Sequence, residues 1–516
     1  MVRDKGVTTP APRGSSPPPT DAVFAQRYER VFTPALAHYS PLVVERAQGA
    51  YLYTAGGRRY LDLASGIATT NLGHGHPRVV AAAEQQLRRV IHLSITAYHE
   101  APLVLAERLV EVAPPGLDMV FLGNSGAEAV EGAIKLAKRA TGRSAVISFL
   151  GGFHGRTYGA LSATTSKASY RAGYAPLLPN TYLAPYPAPD ARVPRSAPAA
   201  GGAAAERGGA ESCLDDLDRL FALAVPPDEV AAILVEPVQG EGGVVVPPAA
   251  FLRGLRERCD RHGIVLIFDE VQTGFGRTGA MFAAERFGVV PDVLALGKAI
   301  ASGLPLSAIL GRRDLMTRWP EGSHGTTFGG NPVACAAAVA TLDVLVEEGL
   351  PARARELGDW TLERLRALAA RHPAVAGVRG LGLMIGLECR VPVEAAGARA
   401  EVQSPTSEVG TAGDGGTWNA QLGPPNSGDP PRRWKGGGTR NGQLAPPNSG
   451  GGAIVRQLER RCLQAGLLVL HCGPSGEVLR LLPPLTIGRA EVERTLQVLD
   501  HALTEVERGC GAGGAA

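Results

Sequence analysis

Asp269 and Lys298 are the residues of this chain whose types and setting point most directly to chemistry. Asp269 closes an apolar run, Ile264 to Phe268, and Lys298 follows a second one, Val293 to Leu296. In α/β proteins ligands gather at the carboxyl ends of strands, so the acid and the lysine would meet at one crevice. Lys298 lies among small and apolar residues. Burial lowers the pKa of an ammonium group and frees the amine as a nucleophile toward a carbonyl; a partly buried structural lysine is the plainer alternative. Pyridoxal phosphate asks for this pair, a lysine to hold its aldehyde as a Schiff base and an acid to pair with its pyridinium nitrogen.

Other motifs are open when read singly. Asn124 to Glu128, NSGAE, joins a strand to a helix start, where free N–H groups bind anions and Gly126 admits a phosphate close to the backbone. The same residues also suit an ordinary Ser-capped helix. In GFHGR, Phe153 could stack on a flat ring and Arg156 could fork a carboxylate, or both could belong to a surface loop. His154 between them is read as structural, without a role. Glu236 and Glu241 stand five residues apart at a strand end, either as acid and base or as solvated loop charges. The GxGxxG from Gly274 to Gly279 is misplaced for a dinucleotide fingerprint, since DEVQT separates it from the strand and no matching acid follows.

These residues need a scaffold of alternating strands and helices. Strands are expected at Val120 to Leu122, Val146 to Leu150, Ala232 to Pro237, Ile264 to Phe268 and Val293 to Leu296. A helix after Asn124 would carry the apolar Val130, Ala133, Ile134 and Ala137, and another over Val79 to His92 would set Val80, Ala83, Leu87 and Val90 on one face. The alternation predicts an α/β fold with a mainly parallel sheet. Gly56-Gly57 between LYTA and RRYLDL reads as a hairpin. The expected order is a disordered tail over 1–22, an N-terminal segment of a small domain over 23–75, a large domain over 76–332, and a C-terminal part of the small domain over 333–516. Two stretches break the rhythm. Residues 187–212 are rich in Ala, Pro and Gly and read as a flexible excursion. Residues 391–452 hold a near repeat, Gly416 to Gly428 and Gly438 to Gly450, too poor in apolar residues to build a core, and read as a disordered insertion.

Composition narrows the partners. A 516-residue chain with 45% hydrophobic residues and a net charge of +3 gives no sign of a nucleic-acid partner or an acidic membrane. The local basic cluster Arg432, Arg433 and Lys435 falls in a Gly/Pro-rich stretch and reads as linker. Seven cysteines without a CxxC pair suit reduced thiols in a cytoplasm, with no metal site. No apolar run reaches the ~20 residues of a membrane span, and the first twenty residues lack the apolar core of a signal peptide.

Taken in order, the motifs resemble the class III pyridoxal-phosphate-dependent aminotransferases. The matching segments are GHGHP (Gly73 to Pro77), NSGAEAVEGAIKLA, FHGRT, EPVQGEGG, FDEVQTGFGRTG, LGKAIASGLPL, HGTTFGGNP (His324 to Pro332), RGLGLMIGLE (Arg379 to Glu388) and VLRLLPPLTI (Val478 to Ile487). The resemblance implies fold type I, with a large domain of mainly parallel sheet and a smaller α+β domain built from N- and C-terminal segments. It implies Lys298 as the Schiff-base lysine and Asp269 at the pyridine nitrogen. Gly126 and Ala127 would bind the phosphate through backbone N–H groups beside Ser125, and Thr327 would reach it from the partner subunit of a homodimer or dimer of dimers. Phe153 and Val271 would cover the ring faces, Gln272 would contact the ring hydroxyl, and Glu236 would lie close by. A ping-pong exchange between an amino-acid donor and a 2-oxo acid, expected to be 2-oxoglutarate, follows.

Within the family the chain is most like 4-aminobutyrate aminotransferase. There Arg156 would hold a remote carboxylate, Ile67 would stand where ornithine enzymes carry an aromatic, and Glu241 would mask Arg480 until a 2-oxo acid needs it. Arg156, Glu241 and Arg480 also suit acetylornithine and ornithine aminotransferases, and a racemase or epimerase of the same fold would keep Lys298 and Asp269.

Overall fold

The computed structural model describes residues 21–187, 209–391 and 449–512. The tail up to Thr20, the Arg432–Lys435 cluster, both repeats up to Asn448 and the middle of the 187–212 stretch lie outside the described residues.

A seven-stranded sheet forms the centre. Its strands lie in the order Met119–Gly123, Ser307–Gly311, Val293–Leu296, Val265–Asp269, Val230–Val235, Ala145–Phe149 and Thr181–Ala184. All pairings are parallel except the two made by Ser307–Gly311, which runs against both neighbours. The expected parallel sheet is therefore present, with two strands that the sequence did not reveal, the reversed Ser307–Gly311 and the parallel edge strand Thr181–Ala184. Strands Ala145–Phe149, Val230–Val235 and Val265–Asp269 are buried along their whole length. Helices cover both faces of such strands, which explains their near-continuous apolar runs. Helix Gly126–Thr141 supplies one cover, burying Val130, Ala133, Ile134 and Ala137 as the spacing predicts.

Two smaller sheets flank this centre. The hairpin Tyr51–Thr54 and Arg59–Asp62 turns at Gly56-Gly57 as expected, with Val44–Gln48 on one side. On its other side Leu467–Leu468, far along the chain, pairs in parallel with Arg59–Asp62. The C-terminal sheet is antiparallel, in the order Val375–Leu381, Met384–Cys389, Val478–Leu481, Leu470–Cys472. The small α+β layer thus draws on both ends of the chain.

Three expectations need correction. The helix at Val79 stops at Leu87, and it buries Val79 and Gln86 while Val80 and Leu87 stay exposed. The expected face is thus divided, with Ala83 packed against the core and Val80 and Leu87 turned to the outside, which periodicity cannot distinguish from a face wholly turned in. The 187–212 stretch ends early, because Gly209–Leu223 is a helix that buries Ala210, Cys213, Leu214 and Leu217. Likewise 449–452 opens the helix Ser449–Gln464. Its glycines serve close packing: a Cβ on Gly451 would lie 2.4 Å from Cys389 O, and one on Gly452 2.3 Å from Ser475 O.

One buried arginine joins the layers. Arg277 Nη1 donates to Leu383 O at 3.0 Å and Pro483 O at 2.6 Å, and Nη2 donates to Asn71 Oδ1 at 2.6 Å. Asn71 Nδ2 returns a bond to Phe275 O at 2.8 Å. The misplaced GxGxxG is in this way a tie between the Asp269 loop and segments from both ends of the chain.

Candidate active site

Asp269 and Lys298 leave neighbouring parallel strands, with Asp269 in register with Ala295. Asp269 is buried, and its Oδ1 accepts the Val271 N–H at 3.1 Å. Its Oδ2 lies 2.7 Å from His154 Nδ1, on a ring that is itself buried. Burial alone would lower the His154 pKa; the Asp269 carboxylate reverses this and raises it. His154 is thus part of the site that sequence reasoning passed over. Its only signal in the sequence was its place between Phe153 and Arg156.

Lys298 opens a short 3-10 turn, Lys298–Ala301, with φ of +43°, a left-handed conformation that L-residues rarely hold. Burial pulls its pKa down, and Arg480 works in the same direction against the opposing pull of Asp269 and Glu241. The neutral amine is correspondingly favoured.

The helix start after Asn124 is open to an anion. Ser125 caps it: Ser125 Oγ accepts the Glu128 N–H at 3.3 Å and Ser125 O accepts the Ala129 N–H. The Gly126 and Ala127 N–H groups are left without an acceptor among the described residues. Glu128 steadies the turn by accepting the Asn124 N–H at 2.7 Å. Gly126 must lack a side chain, since its Cβ would come within 2.6 Å of Val271 Cγ1.

Glu236 holds two loops. Its Oε2 accepts the Phe153 N–H at 2.9 Å and its Oε1 the Gly240 N–H at 3.1 Å. Burial drives its pKa up to about 7, with Asp269 adding to the rise and His154 opposing it. Gln272 is buried with Oε1 unpartnered, and Gly240 leaves it room: a Cβ there would lie 2.4 Å from that oxygen.

Glu241 and Arg480 form a buried ion pair, Oε1 to Nη1 at 2.5 Å. Burial opposes the charge on Glu241, and Arg480 overrides it, holding the carboxyl below its ordinary range. Glu241 Oε2 and Arg480 Nε and Nη2 remain without partners. Arg156 is exposed, its guanidinium 3.5 Å over the Tyr170 ring and 5.9 Å from the Phe153 ring. Tyr170 is a second neighbour the sequence did not reveal. Ile67 is half-buried in a left-handed turn where Ser65, Gly66, Ile67 and Ala68 all have positive φ. Thr327 is exposed; beside it Thr326 Oγ1 accepts from Asn124 Nδ2 at 3.1 Å.

These groups fit a planar phosphorylated aldehyde. The unclaimed N–H groups at Gly126 and Ala127 suit the phosphate, the Val271 and Phe153 side chains suit ring faces, and Gln272 Oε1 is an acceptor awaiting a donor. The fold and the fit define a pyridoxal-phosphate-dependent transferase of fold type I.

The class III aminotransferase model matches residues 33–503. The chain is 34% identical over 486 residues to the 4-aminobutyrate aminotransferase of Escherichia coli K12, covering 94% of this chain and 98% of that one. It is 42% identical over 348 residues to the acetylornithine aminotransferase of Methanopyrus kandleri, covering 67% and 81% respectively. Among solved structures, a PLP-bound amine transaminase from an uncultivated Pseudomonas species aligns with a TM-score of 0.74 at 30% identity, covering 93% of this chain and 99% of that one. The chain belongs to the class III aminotransferases, enzymes that depend on pyridoxal phosphate.

Proposed function

We propose that this aminotransferase moves the amino group of a 4-aminobutyrate-like ω-amino acid to 2-oxoglutarate in a ping-pong cycle. The observation that carries this reading is the difference between its two arginines. Arg480 is masked by Glu241, whereas Arg156 has no carboxylate partner among the described residues. An ω-amino acid has one carboxylate, remote from the reacting amine, and needs only Arg156. The 2-oxo acid has two, and needs Arg480 unmasked as well. The resemblance also puts Ile67, half-buried in its left-handed turn, where ornithine enzymes carry an aromatic. The similarity to a 4-aminobutyrate aminotransferase over nearly the whole chain points the same way.

Pyridoxal phosphate, when bound, supplies an aldehyde carbon that takes up amines and a ring that accepts the electrons of a breaking C–H bond. Lys298 would attach it and, as a neutral amine, would carry a proton from the donor carbon that bears nitrogen to the carbon that was the cofactor's aldehyde, and in the second half-reaction would carry it the other way onto the 2-oxo acid's carbon. Asp269, braced by His154, keeps the ring nitrogen charged. Gly126, Ala127 and Ser125 hold the phosphate. Phe153 and Val271 bound the ring, Gln272 meets its hydroxyl, and Glu236 keeps Phe153 in place through its backbone.

We infer a cytoplasmic homodimer in which Thr327 of one copy completes the phosphate site of the other. Ile91, Ile95, Tyr98 and Phe328 are all more than half exposed, an unusual cost for one chain in water. Asn331 Nδ2 donates to Ile91 O at 3.0 Å, and His92 and Phe328 lie 5.0 Å apart, so the Thr327 loop adjoins this apolar segment.

A donor panel with 2-oxoglutarate tests the reading: 4-aminobutyrate, ornithine, acetylornithine, β-alanine and branched α-amino acids. The highest kcat/KM is expected for 4-aminobutyrate. A preference for acetylornithine or ornithine would overturn the choice of donor. Regeneration of the starting absorbance with donor alone, together with loss of optical purity, would mark a racemase.

A further inference from the structure

We infer that Tyr170 is a positioning residue for Arg156, holding the guanidinium ready for a substrate carboxylate without neutralising it. This deepens the functional reading above and rests on Arg156 as the receiver of the remote carboxylate.

Tyr170 ends the short turn Ala168–Tyr170, and the Arg156 guanidinium carbon stands 3.5 Å above its ring centroid. Phe153 meets the same tyrosine edge-on, with centroids 5.9 Å apart and planes at 78°. The Tyr170 ring is therefore itself held, on the side of the loop that carries both Phe153 and Arg156. A cation stacked on an aromatic face is attracted through the ring quadrupole, and its in-plane N–H edges stay free. Those edges are what a carboxylate uses in a forked contact.

The contrast with Arg480 gives the arrangement its meaning. An arginine held by a carboxylate must exchange that partner for a substrate, as Arg480 would exchange Glu241. An arginine held by a ring has nothing to exchange. The remote-carboxylate site is then permanently open, while the second carboxylate site is gated. Lys167 Nζ, 5.7 Å from the same ring, adds positive potential there.

A double-mutant cycle tests this on the purified holoenzyme, using Y170L, Y170F, R156A and Y170L/R156A. Kinetics are measured for 2-oxoglutarate with the best donor of the panel, and for 4-aminobutyrate. Y170L should raise KM for carboxylate substrates about three- to fivefold, the scale of one cation–π contact at an exposed arginine, with kcat within about twofold and cofactor absorbance unchanged. Y170F should restore KM, because the ring face is retained. In the R156A background Y170L should add nothing further. An unchanged KM in Y170L, an equal loss in Y170F, or a Y170L effect that persists without Arg156 would each overturn the assignment. If 4-aminobutyrate is not turned over by the unmodified enzyme, the donor reading fails, while the 2-oxoglutarate cycle still decides the role of Tyr170.

Discussion

His154 Nδ1 and Asp269 Oδ2 lie 2.7 Å apart, with both side chains almost wholly shielded from water. Asp269 Oδ1 accepts from Val271, so the carboxylate is fixed at both oxygens by residues on two different loops. An acid meant to pair with a ring nitrogen must keep its charge and its direction, and His154 serves both. Replacing His154 by Ala leaves a buried oxygen without its partner. We expect affinity for pyridoxal phosphate to fall by about tenfold or more, measured by absorbance titration of the apoprotein. Unchanged affinity would sink the bracing role.

The neighbouring Glu236 makes stability depend on pH. Its folded pKa stands near 7, above the ordinary 4.5, because burial disfavours the charged form. Between these values the folded chain binds more protons than the unfolded one, so stability falls as pH rises. His154, also raised, works in the same sense: its contribution is complete below about pH 6.5 and is lost as pH climbs through its folded pKa. Melting temperature should therefore decline from pH 4.5 toward neutrality as far as this pair is concerned. Glu236→Gln should flatten that decline when the two pH profiles are compared. Parallel profiles would assign the slope to other groups.

Gly126 offers a test that can be reversed. A Cβ there would meet Val271 Cγ1 at 2.6 Å, closer than real contacts allow. Gly126→Ala should push the phosphate turn out of place and weaken cofactor binding about tenfold or more, since a misplaced turn loses charge-assisted hydrogen bonds. Adding Val271→Ala removes the obstructing methyl groups and should recover most of the loss. If the double variant binds no better than the single one, the close approach to Val271 is not what requires glycine.

The sequence made the central sheet legible because its buried strands are unbroken apolar runs that end in chemically marked residues, Asp269 and the Gly297-Lys298 pair. It did not reveal strand Ser307–Gly311, whose reversed direction leaves no trace in SAILG. Side-chain partners across the fold were equally hidden. His154 and Asp269 are 115 positions apart, and no periodicity links them. Tyr170 reaches Arg156 through a short turn whose residues look like ordinary loop. The exposed Val80 and Leu87 mark a further limit, since a helical stripe does not say whether its cover comes from the same chain. Glycines misled in the other direction: Gly451 and Gly452 resembled linker and are packed against backbone.

The Glu241–Arg480 pair predicts a change of preference rather than a simple loss. Arg480 is fully buried, and Glu241 is the carboxylate that compensates its charge. Glu241→Gln keeps a hydrogen-bond acceptor and removes the negative charge. Arg480 is then a standing receiver for an α-carboxylate, no longer masked when an ω-amino acid binds. The kcat/KM for 4-aminobutyrate should fall relative to that for glutamate, with the ratio shifting by about tenfold or more, the scale of a charge-assisted bond made or lost at a buried site. Stability should fall too, because an uncompensated buried charge is costly. In the unmodified enzyme Arg480 holds the Glu241 carboxyl below its ordinary pKa, so the pair's contribution is present above pH 4.5 and is lost as pH drops through the lower folded value. Paired-donor kinetics on the variant decide the matter. An equal fall for both donors would mean that Glu241 supports the site without gating it.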